Sequence, residues 1–214
     1  MNSTHGASLT HVQPKYTRSR FGCYLLIKRI LDVLGALLAC TFLLVPSFVI
    51  IVLIKLDSEG PAIFKQERLG LCGKPFVIYK FRTMRMDAEE DGPKFATKND
   101  GRCTKIGATL RKLRIDEWPQ FWNILKGDMS IVGPRPERDC FYQQFAEKIP
   151  GFRDRLSVKP GLTGYAQVFG GLELLPHEKL QYDLEYIANA NIVMDLRCIL
   201  KTISVIMSLL RTEV

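Results

Sequence analysis

Asp116 and Glu117 stand side by side in LRKLRIDEWPQ, with basic residues before them and Trp118-Pro119 after. An acidic pair among cations can attack phosphorus, hold a hard cation such as Mg2+, or simply begin a helix. Pro119 suits a first helical turn, where its missing N–H costs nothing. That places Asp116 at or near an N-cap and Glu117 in the first turn, where the helix dipole favours negative charge and keeps a carboxylate ionised. The same geometry describes an ordinary cap, so the pair alone leaves both readings open. Glycoside hydrolysis is disfavoured, because its two carboxyl groups flank a bond at ~5 to 9.5 Å rather than adjoining one another.

The cations around the pair suit a diphosphate. Lys80 and Arg82 lie in YKFRTM, Arg111, Lys112 and Arg114 in LRKLRIDE, Arg135 and Arg138 in GPRPER, and Lys159 in KPGLTG. Arginine forks and lysine point charges both match phosphate oxygens, although any one of them alone also suits a solvated surface. The turns at Gly133-Pro134-Arg135-Pro136 and Lys159-Pro160-Gly161 set stiff backbone beside these cations. With 30 Lys and Arg against 22 acids, the net charge of +8 favours an anionic partner. Nucleic acid has only this charge behind it and is not expected. No G-x-G-x-x-G, Walker A, G-x-S-x-G or H-E-x-x-H motif occurs. The six cysteines form no C-x-x-C and have no His at zinc spacing, so they read as free thiols of a reducing compartment.

The elements that must position these groups follow from the apolar pattern. Residues 1–20 are polar, without periodicity, and read as a loose tail. Val33 to Ile54 is an uncharged apolar run, and at ~1.5 Å rise per residue it would cover a bilayer core of ~30 Å. Leu38-Ala39-Cys40 suggests a signal-processing site, but the apolar run continues well past Cys40, which a cleaved signal would not do. Pro46 interrupts the run, and basic residues flank it on both sides, Lys28 and Arg29 before and Lys55, Lys65 and Arg68 after. Positive-inside bias would return both flanks to one side by a re-entrant helix broken at Pro46, while a kinked spanning helix satisfies the same residues.

Downstream, Ala62-Ile63-Phe64 and Phe76 to Phe81 predict a β-hairpin across the glycine-containing LGLCGK. Residues 86–103 read as a charged solvent loop. Helix spacing of Leu110 with Leu113, and of Trp118, Phe121, Trp122 and Leu125, predicts helical segments on either side of the acidic pair. Leu180, Leu184 and Ile187 predict another helix, and Leu196, Ile199, Leu200, Ile203, Met207 and Leu210 a last one. Arg197, Lys201 and Arg211 occupy its other faces, the pattern of a helix lying on a membrane surface or against a core. The expected fold is α/β, mostly α with a small β-hairpin or sheet, plus the N-terminal membrane helix and interfacial amphipathic helices.

In order, KRILDVLGALLA, YKFRTM, LRKLRIDEWPQFWNILKGDMSIVGPRPER, VKPGLTGYAQV and EKLQYDLEYI…DLRCILKTI resemble the bacterial sugar transferases, the monotopic polyprenyl-phosphate phosphoglycosyl transferases. The resemblance runs from about Lys28 to Ile206. It implies a flexible tail over 1–20, a re-entrant anchor over 21–56 bent back at Pro46, and a catalytic region over 57–214 facing the cytoplasm at the bacterial inner membrane. The implied reaction moves a sugar 1-phosphate from a UDP-sugar to undecaprenyl phosphate and releases UMP, as the first membrane step of exopolysaccharide or glycoconjugate assembly. By the same resemblance Asp116 is the nucleophile that forms a covalent phosphosugar intermediate, and Glu117 helps bind Mg2+. Lys80, Arg82, Arg135 and Lys159 are the implied phosphate-binding cations. Membrane lipid is an implied partner, and a homo-oligomer is compatible with the resemblance.

Some positions depart from the family pattern. Val45 precedes the proline where many relatives have Ser, Lys159 stands where Arg is frequent, and Phe169-Gly170-Gly171 replaces an Asn-Gly-Arg that bears on sugar choice. Two rival readings remain: direct glycosyl transfer to a lipid phosphate with release of UDP, and a basic lipid-binding module without chemistry.

Overall fold

The computed structural model describes residues 18–90, 92, 97, 100–171 and 174–211. The tail expected over residues 1–20 falls almost wholly outside these, as does part of the loop expected over 86–103. The described chain is mostly helical, with two small two-stranded sheets.

Helix α1 runs from Arg18 to Asp57 and is long and apolar enough to cross a membrane. The interruption expected at Pro46 does not appear in the secondary structure, because the helix continues on both sides of it. A proline removes one donor and crowds the preceding turn, which bends a long apolar helix more readily than it ends one. Thr41 adds to this locally by donating its hydroxyl to the Leu37 carbonyl one turn back, at 2.9 Å.

The predicted hairpin forms from β1 (Ile63–Leu69) and β2 (Pro75–Phe81), antiparallel, with Ile63 opposite Phe81 and Phe64 opposite Lys80. It is longer than the apolar pattern suggested, because Lys65, Gln66, Glu67 and Arg68 continue β1 as a polar strand. After the loop, α2 (Lys105–Lys112) begins at Thr104, whose side-chain oxygen accepts the Gly107 N–H at 3.0 Å. Helix α3 (Gln120–Lys126) ends at Gly127, whose φ of 91° supplies the left-handed stop.

The chain then forms a short parallel pair that the sequence pattern did not announce. Strand β3 (Ser130–Val132) lies beside β4 (Gly161–Thr163), with Ser130 opposite Gly161 and Val132 opposite Thr163. Between them lies α4 (Asp139–Lys148), and a π-turn at Ala166–Gly170 follows β4. The last two predicted helices are α5 (Pro176–Asn189) and α6 (Ile192–Arg211).

Among the described residues, apolar burial is divided among four clusters rather than one centre. Ile78 of β2 is buried with Ala36 of α1 and with Ile124 and Met129. Phe81 of the same strand is buried with Ile50 and Ile54, toward the C-terminal end of α1, and with Leu110 of α2. Ala36 near the midpoint of α1, and Ile50 and Ile54 toward its C-terminal end, therefore share cores with the rest of the chain. The stretch between them does not: Phe42, Leu44 and Val45 are 72, 70 and 71 % exposed.

Candidate active site

Asp116 and Glu117 lie in a single 3-10 turn, Ile115–Glu117, between α2 and α3. This corrects the expected cap: α3 begins after Pro119, and neither acid caps it. Trp118 and Pro119 already have helical backbone angles, so the chain enters α3 without the extended residue on which a side-chain cap depends. Arg114 supplies the change of direction by adopting a left-handed conformation, φ 58° and ψ 15°, which non-glycine residues adopt at a cost of about 1 kcal/mol. Both acids are buried, Asp116 7 % and Glu117 6 % exposed.

Glu117 Oε1 accepts from Lys80 Nζ at 2.9 Å and from Arg135 Nη2 at 2.5 Å. Burial alone would raise the Glu117 pKa, but Arg135 and Lys80 together hold it well below the usual carboxylate range. For Asp116 the balance falls the other way, since burial raises its pKa beyond what Lys80 and Arg135 restore, and the adjoining Glu117 charge adds to the rise. Burial likewise lowers the Lys80 pKa against the pull of Glu117, whereas the Glu117 charge raises that of Arg135. Asp116 Oδ1 is buried without a hydrogen-bond partner. One carboxylate is thus satisfied by two cations, and its neighbour retains a free acceptor oxygen, the arrangement that a carboxylate nucleophile requires.

The support is built residue by residue. Lys80 lies next to the end of β2, and α3 grips that strand through Asn123: its Oδ1 accepts from Tyr79 N at 3.1 Å and its Nδ2 donates to Val77 O at 2.7 Å. Arg135 projects from the Gly133–Glu137 turn, which packs on the segment around Gly161. There the backbones approach so closely that a Cβ on Gly133 would lie 2.4 Å from the Lys159 carbonyl. Arg155, 1 % exposed, bonds Asp183 at 2.6 Å and the Arg135 carbonyl at 3.1 Å.

Of the cations named from sequence, Lys80 and Arg135 meet the acidic pair, and Arg82 and Lys159 do not contact it. The Arg82 guanidinium is buried and donates to the carbonyls of Ser58 and Glu59 and to the Ser58 hydroxyl, binding the chain as it leaves α1. Lys159 lies beside Gly127 and Arg29, where burial and the Arg29 charge lower its pKa. Sequence reasoning missed the supporting roles of Asn123, Arg155 and Asp183. A signal for Asp183 was present: it shares a helical face with Leu180 and Ile187, so an acid sits on the buried stripe of α5.

Asp116 and Glu117 are the protein groups on hand for a Mg2+, and among the described residues no set of three acidic, His or Cys side chains is grouped to hold one alone. Two carboxylates, one with an unpartnered oxygen, fit an ion that completes its shell with substrate phosphates and water. A cavity of about 550 Å3, lined in part by Tyr165, Phe169, Glu185 and Arg197, opens elsewhere, beside the π-turn, α5 and α6.

The sequence profile of the bacterial sugar transferases matches residues 23–209. The chain is 43% identical over 188 residues to the UDP-N-acetylgalactosamine-undecaprenyl-phosphate N-acetylgalactosaminephosphotransferase of Aeromonas hydrophila, covering 86% of this chain and 44% of that protein. It is 43% identical over 194 residues to the UDP-glucose:undecaprenyl-phosphate glucose-1-phosphate transferase of Caulobacter vibrioides, covering 87% and 70% respectively. A protein of the same name from Escherichia coli is 38% identical over 198 residues, covering 90% of this chain and 42% of its own length. The chain thus spans less than half of the A. hydrophila and E. coli proteins and most of the C. vibrioides one. A profile match across nearly the whole described fold, with the acidic pair and its cations inside it, places this chain in the bacterial sugar transferase family.

Proposed function

We propose that the protein transfers a sugar 1-phosphate from a UDP-sugar to undecaprenyl phosphate through a covalent intermediate on Asp116. The observation that carries this reading is the unpartnered, buried Oδ1 of Asp116 beside a carboxylate already claimed by Lys80 and Arg135. Asp116 attacks the sugar-bearing phosphorus, an Asp–O–P bond forms, and the bridging P–O bond breaks with its electron pair leaving on UMP. An oxygen of undecaprenyl phosphate then attacks the same phosphorus and releases Asp116 as its carboxylate. Lys80 and Arg135, held by Glu117 before the donor arrives, exchange part of that partnership for the diphosphate oxygens and balance charge as UMP departs. Asp116 and Glu117 would hold Mg2+ jointly with the donor, where the ion neutralises diphosphate charge. Arg82 and Lys159, which do not contact the acidic pair, act on phosphate only if the donor extends toward them.

The fold supports a re-entrant anchor over residues 21–56, which dips into the cytoplasmic face of the inner membrane and returns to a catalytic body over 57–214. Ala36 and Ile50 would stand ~21 Å apart on a straight helix. They share cores with Ile78 and Phe81, only ~10 Å apart along one strand. A bend near Pro46 would reconcile the two spacings and leave the exposed stretch around Phe42 and Val45 for lipid.

Product analysis tests the reaction. UMP and a sugar-diphospholipid are expected from a UDP-sugar and undecaprenyl phosphate, and UDP release would establish direct glycosyl transfer instead. Enzyme quenched with the donor alone should carry a phosphosugar on the peptide containing Asp116, and an unmodified peptide would rule out the covalent step.

A further inference from the structure

We propose that Arg155 and Asp183 are positioning residues that aim the Arg135 guanidinium at the acidic pair by fixing the backbone from which it projects. The assignment of a catalytic purpose rests on the transferase reading above.

The Gly133–Glu137 turn is bonded at every residue. Gly133 donates to the Thr163 carbonyl at 2.9 Å, and the Pro134 carbonyl accepts from Gly161 N at 2.9 Å. The Arg135 carbonyl accepts from Arg155 Nη2 at 3.1 Å, and the Pro136 carbonyl from Arg68 Nη1 at 3.3 Å. The Glu137 carbonyl accepts from Leu69 N at 3.1 Å. Two prolines restrict the turn further. The bond to Arg135 itself comes from a fully buried side chain, for those of Arg155 and its partner Asp183 are 0 % and 2 % exposed.

Arg155 holds its orientation through several contacts. Its Nε donates to Asp183 Oδ2 at 2.6 Å, and its guanidinium lies 4.9 Å from the Phe152 ring centroid and 5.6 Å from that of Tyr142. A buried ion pair is a poor way to gain stability, since apolar residues of similar volume do as well or better. What an apolar pair could not do is donate to the Arg135 carbonyl at a fixed angle. The pair therefore links α5 to the cation that grips Glu117, and it does so without touching substrate.

The test uses the full chain in detergent or vesicles, with Arg155→Lys, which keeps the charge but cannot fork between Asp183 and Arg135. Hydrogen exchange of a peptide spanning residues 130–138 should quicken about five-fold or more, while exchange in α1 stays unchanged. With the protein still folded, kcat should fall about 10- to 100-fold and the donor KM should change less than about three-fold. In an Arg135→Lys background, Arg155→Lys should add no further loss, because the two act through one group. Multiplying losses, unchanged exchange, or unchanged kcat would each overturn the proposal. If Arg155→Lys does not fold, Asp183→Asn, which keeps an acceptor for Arg155 Nε, carries the same three readings at smaller amplitude. Absence of product from the unaltered chain would instead overturn the transferase reading, and with it the catalytic purpose assigned here.

Discussion

At the residue scale, the two adjacent acids have been driven apart electrostatically. A raised pKa means that the folded state binds the proton more tightly than the unfolded chain, so ionised Asp116 opposes folding at pH above its folded pKa. Replacing it by Asn removes that penalty. Asp116→Asn should therefore abolish turnover and yet melt at a higher temperature than the parent at pH 7, with the gain fading as pH falls toward the ordinary Asp value of about 3.9. Thermal melts across pH, read beside the activity, check this, and a lower melting temperature at pH 7 would contradict it. Glu117 has the opposite sign: its depressed pKa gives stability that is present above the ordinary Glu value of about 4.3 and lost as pH falls through the folded pKa. Chelation with EDTA should end turnover, and added Mg2+ should restore it, since among the described residues no third acidic, His or Cys side chain joins the pair to retain an ion. Activity that survives chelation would remove the metal from the reading.

The acidic pair stood out in sequence only with its surrounding motifs, because the two residues alone read equally well as an ordinary helix cap. Their backbone setting was not legible, since the left-handed Arg114 that turns them inward has no signature such as glycine. Nor could the local sequence sort the cations. Arg82 follows Lys80 by two residues, yet one is consumed by the carbonyls after α1 and the other reaches Glu117. Partners distant in the chain decide such roles.

At the scale of elements, the hairpin and the four predicted helical segments after it were readable from periodicity, because each carries its own apolar spacing. The β3–β4 pair was not, because three-residue strands show no alternation and their pairing depends on glycines that let two turns meet. Asn123 is the element-level joint nearest the chemistry, bonding both Val77 and Tyr79 beside Lys80. Asn123→Ala would remove the partner of the Val77 carbonyl and of the Tyr79 N–H, part-buried bonds worth about 0.5–1.5 kcal/mol each, and should loosen Lys80 as well. A melting shift together with lost turnover is expected, and a variant with parental stability and activity would show that α3 is held by other means. A second joint fixes the start of α1. Asp195 of α6 accepts from Tyr24, Lys28 and Tyr186 at 3.0, 2.8 and 2.7 Å. Asp195→Ala leaves Lys28 without its counter-ion and should cost about 3–5 kcal/mol, measured as a lower melting temperature with new protease sensitivity near residues 24–32.

At the scale of the whole molecule, two apolar surfaces remain uncovered among the described residues, much of α1 from Leu25 to Leu56 and one stripe of α6. Val193, Leu196, Leu200, Ile203 and Met207 repeat at helix spacing along that stripe and are exposed, while Cys198 and Asp195 face the body. The amphipathic pattern of α6 was clear in sequence, but a core stripe and a membrane stripe look alike there. Only the packing reveals that the apolar side is the one left outside. If α1 dips and returns, the stripe should lie on the same membrane surface. Each fully buried apolar side chain contributes about 1.5–3 kcal/mol, so Leu200→Gln with Ile203→Gln should weaken binding to vesicles of phosphatidylethanolamine and phosphatidylglycerol. Because Leu200 and Ile203 are 66 and 55 % exposed, the fold should barely register the change. Cosedimentation would measure the loss in a background where Phe42→Gln and Phe48→Gln make the exposed α1 stretch polar, so that α1 alone would not hold the chain on the vesicles. Undiminished binding in that background would mean that α6 faces water or another copy of the chain. Single cysteines at Ser19 and Ser58, in a cysteine-free background, complete the test of topology: both should be labelled from one side of the vesicle, and opposite sides would replace the re-entrant anchor with a spanning one.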